Sequence, residues 1–263
     1  MLNKIHIIKK DARYCALVLM LALGCGKAAA QVGDYRTDLA VGFNGGYTMS
    51  TVGFSPKVPQ KSLGGFTAGM TVRYTCEKYF NSICAIVGEL NVTQMGWKDD
   101  ILDINDSPVL IPGTDTPEEY QRTLTYIQMP LLARLGWGRE RRGVQAFFQL
   151  GPQLGYMLSD KSRQNFEHNK RNTADRVGIM YDAVQDTLSI DRKFDYGIAV
   201  GAGIEFSHPK IGHFMLEGRY YYGLGNIFNS SKRDYFGRSN NNSIMIKLTY
   251  LFDVIRTKND KIK

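Results

Sequence analysis

Hydrophobic and polar residues alternate along eight segments of the chain, so that apolar side chains fall on one face and charged side chains on the other. In the segment 214–224, Phe214 and Leu216 share one face, whereas Glu217 and Arg219 share the opposite face. This period of two residues is typical of a β-strand. Each segment reaches the roughly 9–11 residues that a tilted strand needs to cross a bilayer. The predicted strands are 39–49, 64–75, 83–96, 123–137, 144–158, 194–206, 214–224 and 243–252.

The connections between these segments alternate strictly between long and short. Short periplasmic turns and long external loops are the habit of outer-membrane barrels, with both termini inside the cell envelope. The sequence therefore predicts an all-β fold, an eight-stranded antiparallel up-and-down transmembrane β-barrel with short periplasmic turns and long extracellular loops. The long connections are 50–63, 97–122, 159–193 and 225–242, and the short ones are 76–82, 138–143 and 207–213.

The same alternation places charged side chains on the inward face of the predicted barrel, four basic against four acidic. A charge removed from water is costly unless it is paired and hydrogen-bonded. We therefore predict a structural charge network that plugs the lumen, in which Glu89, Arg134, Glu217 and Arg219 pair with one another. The predicted inward charges are Arg73, Glu89, Arg134, Asp195, Glu205, Glu217, Arg219 and Lys247.

The N-terminus has the pattern of an export signal. Basic residues precede an apolar stretch at 15–23, and Ala28, Ala29 and Ala30 supply the small residues that a signal peptidase requires. We predict a cleaved signal peptide at 1–30 and an outer-membrane barrel domain at 31–263. A rival interpretation makes Cys25 a lipidated N-terminus. Loss of the five basic residues and one acidic residue of 1–30 lowers the formal charge from +8 to +4, and no basic cluster with interleaved aromatics remains to indicate nucleic-acid binding.

Aromatic residues lie near the ends of the predicted strands. Trp97, Tyr126 and Trp137 are examples. Such rings favour the bilayer interface, where an apolar body and a polar tip are both accommodated. We therefore expect an aromatic girdle at each end of the barrel.

Two cysteines, Cys76 and Cys84, flank the first periplasmic turn. In an oxidising periplasm they either form a disulfide across the base of this hairpin or remain as two partly buried thiols. No His or further Cys stands at the spacing of metal ligands, so neither a metal nor a cofactor is expected. The acidic connection 97–122 contains oxygen ligands for Ca²⁺, but its spacing matches no calcium loop and favours a solvated acidic face.

Several motifs resemble the PorT-like outer-membrane β-barrel family of the Bacteroides lineage. The resemblance extends over nearly the whole of 31–263, although Met129 stands where isoleucine is usual in that family. It implies a barrel fold, and, because one member serves a type IX secretion and gliding apparatus, it implies an accessory role in secretion as one alternative. The motifs are Val41-Gly42-Phe43-Asn44-Gly45-Gly46, Gly88-Glu89-Leu90-Asn91, Tyr126-Ile127-Gln128-Met129-Pro130-Leu131-Leu132, Gln149-Leu150-Gly151-Pro152-Gln153-Leu154-Gly155-Tyr156 and Gly201-Ala202-Gly203-Ile204-Glu205.

Three function classes remain, and we favour a non-enzymatic barrel with a plugged lumen. Its loops 97–122 and 159–193 would bind a protein or a surface polymer, and outer-membrane lipids and the barrel assembly machinery would be its other partners. A narrow pore is less favoured because eight strands leave room only for side chains. An outer-membrane lipid-modifying enzyme is least favoured, because no catalytic motif appears and His168, His208 and His213 are expected in solvated loops or turns.

Overall fold

The computed structural model describes residues 38–79, 82–167, 170–176, 184–231 and 233–256. This part of the chain forms nine β-strands and one short helix, α1, at Val184–Thr187. The predicted signal peptide and the predicted lipidation at Cys25 lie outside the described residues. The strands are β1 Asp38–Ser55, β2 Gln60–Lys61, β3 Leu63–Tyr79, β4 Ser82–Asp99, β5 Tyr120–Gly138, β6 Gly143–Gln164, β7 Phe194–His208, β8 Gly212–Gly223 and β9 Arg238–Ile255.

Eight of these strands close into a ring, which confirms the predicted barrel. Every pairing is antiparallel, and consecutive long strands are neighbours from β3 to β9. The ring closes because β1 pairs with β3 on one side and with β9 on the other, where Phe43 lies opposite Tyr250. The two residues of β2 add only a short extension beside the outer end of β4.

The strands are longer at their extracellular ends than the sequence predicts. Residues 97–99, 120–122 and 159–164 belong to β4, β5 and β6, although they were expected in loops. These segments stand above the bilayer, where both faces of a strand can carry polar residues. The hydrophobic alternation that identifies a membrane strand therefore ends before the strand does.

The two faces of the wall differ as the alternation predicts. Outward side chains form an apolar belt, and every charged side chain of the predicted inward set points inward and is buried, together with inward apolar residues such as Val87 and Phe147. Among the described residues, no helix is long and apolar enough to cross a membrane. Representative members of the belt, which are 44–66% exposed in the isolated chain, are Phe43, Met70, Leu90, Leu131, Leu150, Ile204, Leu216 and Leu248.

The described parts of the connections 56–62, 100–119, 165–193 and 224–237 carry residues that pack at the extracellular mouth, and we call this layer the cap. Its centre is an aromatic cluster in which the ring of Phe54 lies 5.4 Å from Trp97 and 4.8 Å from Phe236, with Phe228 stacked beside them. Trp97 and Tyr126 are fully buried, so their predicted place at the bilayer interface is wrong. Both occupy inward positions of their strands, and strand phase overrides the interfacial preference of an aromatic ring.

Candidate functional site

The periplasmic half of the lumen is built around the carboxylate of Glu205 on β7. Arg73 of β3 donates to both of its oxygens at 2.7 and 2.8 Å, and Arg134 of β5 forms a second ion pair with it. The guanidinium of Arg134 also lies 4.0 Å from the ring centre of Phe147, a cation–π contact. Three strands are thus joined through one buried carboxylate, and we call this set the periplasmic cluster.

His213 belongs to the same cluster, contrary to the expectation that it is a solvated turn residue. The turn between β7 and β8 spans only residues 209–211, and His213 is 6% exposed on the inward face of β8. Its Nδ1 lies 2.7 Å from Glu205 and its Nε2 lies 3.1 Å from Asp253. The signal was present in the sequence, since His213 shares the phase of Glu217 and Arg219 and Asp253 shares the phase of Lys247.

Ser207, His213 and Asp253 form a hydrogen-bonded series that resembles an acyl-transfer triad in its connectivity. The oxygen of Ser207 lies 2.8 Å from the Nδ1 of His213. However, Glu205 also contacts both Ser207 and His213, so each imidazole nitrogen faces a carboxylate and neither is available as a base. The adjoining cleft has about 30 Å³ of space, enough for about two water molecules.

The middle of the lumen holds a second cluster, in which two acidic and two basic side chains neutralise each other. Arg219 donates to both oxygens of Glu89 at 2.8 Å, and Lys247 donates to Glu89 at 2.6 Å. Arg219 also pairs with Glu217 at 2.6 Å, and Gln149 donates to Glu217 at 2.5 Å. All four charged side chains are at most 5% exposed, so this middle cluster is sealed from water.

The structure therefore brings the predicted inward charges together in two groups. Arg134 lies with Glu205 in the periplasmic cluster, instead of joining Glu89 and Glu217 as the sequence led us to expect, because it sits nearer the periplasmic end of its strand. Asp195 lies above both clusters and accepts hydrogen bonds from Tyr221 at 3.0 Å and from Asn241 at 3.2 Å. Among the remaining predicted residues, Arg73 pairs with Glu205. Arg219 and Lys247 both pair with Glu89.

The cap contains polar pairs that sequence reasoning did not find. Glu118 and Arg176 form an ion pair of 2.7 Å in which both side chains are fully buried, and it joins the connections 100–119 and 165–193. Arg122 of β5 pairs with Asp160 of β6 and donates at 2.6 Å to the carbonyl of Leu188. Alternation could not reveal the pair of Glu118 and Arg176, because the loops that meet in the cap have no fixed period. It missed Arg122 and Asp160 because the predicted loops 97–122 and 159–193 include them.

An acidic pair, formed by Asp99 of β4 and Asp186 of α1, lies beneath this layer. Asp99, at the outer end of β4, is 3% exposed and accepts a hydrogen bond of 2.9 Å from Gln185 of α1. Burial and the neighbouring Asp99 carboxyl both raise the pKa of Asp186 above its ordinary range. The expectation that the acids of 97–122 form a solvated face is therefore wrong for Asp99 and Glu118, although it is right for exposed residues such as Asp106 and Asp115.

Cys76 and Cys84 are free, partly buried thiols near the periplasmic end, and no disulfide joins them in this structure. Within the described ranges, no group of three or more His, Cys, Asp or Glu side chains is placed to hold a metal ion. His208 ends β7 and is partly buried, and His168 lies outside the described residues.

A comparison with protein families agrees with this architecture. The family model described as "Outer membrane protein beta-barrel domain" matches residues 29–229. The chain belongs to this family. It is an outer-membrane protein whose barrel has eight strands, and its lumen is filled by the two charge clusters. No curated protein matches the sequence of this outer-membrane barrel.

Solved structures of small outer-membrane barrels are also similar to this outer-membrane barrel. Ail, the attachment invasion locus protein of Yersinia pestis, crystallised with the heparin analogue sucrose octasulfate, has 15% identity over 82% of this chain and 99% of its own, with a TM-score of 0.35. Neisserial surface protein A has 10% identity over 81% of this chain and 97% of its own, with a TM-score of 0.38. The outer membrane enzyme PagL has 8% identity over 79% of this chain and 98% of its own, with a TM-score of 0.37. Likeness at this level carries no argument about ligand or activity.

Proposed function

We propose that this protein is a non-enzymatic, closed outer-membrane barrel that acts through its extracellular loops as an interaction protein. The observation that carries the proposal is the buried ion pair between Glu118 and Arg176, which fastens two long connections to each other above the barrel mouth. Loops held in one conformation lose little entropy when they bind, so they are suited to recognition. The partner class is a protein or a surface polymer.

Further contacts support preorganised loops. Asn172 donates through its backbone to Glu118 at 2.7 Å and through its side chain to the carbonyl of Leu110 at 3.1 Å. Asn165 donates to the carbonyl of Pro117 at 2.8 Å. These bonds tie the connection after β6 to the connection before β5. The cap therefore presents a defined surface to the outside of the cell.

A conducting pore and an enzyme are less well supported. Two layers of paired charges and the aromatic cluster of the cap lie one above the other along the lumen, and an eight-stranded barrel has space for little else. The imidazole of His213 stands between two carboxylates, which leaves the Ser207 series without a base. We therefore expect no steady conductance in planar bilayers.

Photo-crosslinking in cells tests the interaction function. A photoreactive residue at Ile104, which is 81% exposed in the connection 100–119, is expected to give an adduct with one discrete macromolecule. The matched control at Leu248, 66% exposed on the lipid-facing belt, is expected to give only lipid adducts. Identical products at the two positions, or steady channels in planar bilayers, would reject the proposal.

Within the family, we further propose that the chain belongs to the PorT-like group of the Bacteroides lineage, on the motifs around Glu89, Pro130 and Pro152. Association with a secretion and gliding complex is then one form that the partner binding could take. Export by the signal at 1–30 is part of the same proposal. Sequencing of the mature N-terminus is expected to begin at Gln31, and a start at a lipidated Cys25 would contradict it.

A further inference from the structure

The lipid-facing wall carries a groove across β3, β4, β5 and β6 with about 570 Å³ of space. Gly88 forms its floor, and a Cβ atom placed there would meet nothing within 4 Å. The walls are almost entirely apolar. They are formed by Met70, Leu90, Met129, Leu131, Pro152 and Leu154.

The groove coincides with a weakness in the hydrogen-bond ladder of the wall. Pairing between β4 and β5 is interrupted for two positions beside Pro130, and pairing between β5 and β6 is interrupted for two positions beside Pro152. Proline has no N–H to donate to a ladder. These are the prolines of two motifs that carry the family resemblance, so the motifs define the shape of the wall at this point.

A basic turn lies at the periplasmic end of the same strands. Arg139 and Arg142, in the turn that joins β5 to β6, are exposed, and Trp137 beside them is 44% exposed at the end of the apolar belt. Leu131 in the groove is eight residues from Arg139 along β5, which corresponds to about 20 Å along the membrane normal for a strand tilted by about 40°. Half of a bilayer with its headgroups measures about 20 Å as well.

We propose that the groove at Gly88 and the arginines Arg139 and Arg142 together bind one anionic phospholipid of the periplasmic leaflet. An acyl chain fills the groove, and the phosphate lies at the two guanidinium groups. A second copy of the barrel would present a convex wall, which cannot enter a concave groove. Lipopolysaccharide is disfavoured because Lys98, at the outer end of the same face, is paired with Glu119 at 2.9 Å.

Native mass spectrometry tests the proposal on the full-length protein released from bilayers that contain equal amounts of phosphatidylglycerol, phosphatidylethanolamine and lipopolysaccharide. The variant Gly88→Leu fills the groove. The matched control Gly218→Leu introduces the same side chain on the outward face of β8, where a Cβ atom also meets nothing within 4 Å. A third variant, Arg139→Gln with Arg142→Gln, removes the phosphate contacts. Heat-dependent mobility in gels verifies that each variant is folded.

The wild type and Gly218→Leu are expected to retain one phosphatidylglycerol per barrel. Gly88→Leu is expected to lower this retention at least about tenfold, the loss that follows when about two methylene groups are no longer buried. Removal of the arginines is expected to lower the preference for phosphatidylglycerol by about fivefold per residue. Undiminished retention by folded Gly88→Leu would overturn the proposal, as would retention of lipopolysaccharide or a dimer in place of the phospholipid.

Discussion

Arg219 on β8 donates two parallel hydrogen bonds of 2.8 Å to the carboxylate of Glu89 on β4, across the interior of the barrel. Lys247 on β9 donates to the same carboxylate at 2.6 Å, so Glu89 joins three strands. Paired guanidinium and carboxylate groups of this geometry are the strong form of charged hydrogen bond. Glu89 is therefore the carboxylate that both cations of the middle cluster share at hydrogen-bond distance, while Glu217 is a second partner of Arg219.

Replacement of Glu89 by alanine is expected to lower the free energy of unfolding by roughly 3–5 kcal/mol, because Lys247 and Arg219 then remain buried as two cations against the single carboxylate of Glu217. Urea-induced unfolding in lipid vesicles, followed by tryptophan fluorescence, measures the change. Glu119→Ala removes the exposed pair with Lys98 and is expected to cost less than about 1 kcal/mol. A midpoint for Glu89→Ala equal to that of the wild type would contradict the pairing.

The closure of the ring depends on Gly42. At this position β1 meets β9, and a Cβ atom would lie 1.8 Å from the carbonyl oxygen of Tyr250. Gly42→Val is therefore expected to destabilise the barrel by about 3 kcal/mol or more, through displacement of the seam. The amount of folded, heat-modifiable protein in the outer membrane gives the measurement. Gly88→Val, at a position with free space outside the wall, is the control and should accumulate normally.

The aromatic cluster is expected to hold the cap closed. Phe228 is 2% exposed and packs on Phe54 and Trp97, so Phe228→Ala should destabilise the cap by about 3–5 kcal/mol. Added protease should then cleave the extracellular connections faster while the barrel itself stays intact. Ile104→Ala, which changes a side chain that is 81% exposed, should leave the cleavage rate unaltered. Equal cleavage of both variants would contradict a packed cap.

The cap is expected to be more stable in acid than in alkali. Burial and the Asp99 carboxyl raise the pKa of Asp186, so the folded cap retains a proton that the unfolded loop loses. Stability therefore falls as the pH rises from about 4, the ordinary pKa of aspartate, towards the higher pKa of the folded state. Cleavage within 184–193, normalised to a free peptide of the same sequence, should be faster at alkaline pH than at acid pH.

Asp186→Asn stays neutral at every pH and should remove most of this dependence. Asp115→Asn changes an exposed acid of the connection 100–119 and is the matched control, for which the pH profile should follow the wild type. If Asp186→Asn also follows the wild type, another group is responsible for the pH dependence.

The sequence by itself determined the barrel. Side chains alternate across a strand with a period of two residues, so Phe214 and Glu217 already reveal which face meets lipid and which is enclosed. The alternation of connection lengths then fixes the orientation of the strands. The same phase, extended by one position from 214 to 213, places His213 inside the barrel. The strand prediction did not show this because the predicted turn 207–213 was too wide and included His213.

Only the tertiary structure decided which charges pair and what closes the mouth. The height of a residue along the lumen depends on strand register and tilt, so the sequence could not show that Arg134 meets Glu205 while Arg219 meets Glu89. The loops have no period at all, and the pair between Glu118 and Arg176 exists only because two distant connections fold onto each other. Periodicity is a local property of the chain, whereas these contacts join residues that the closed ring alone brings together.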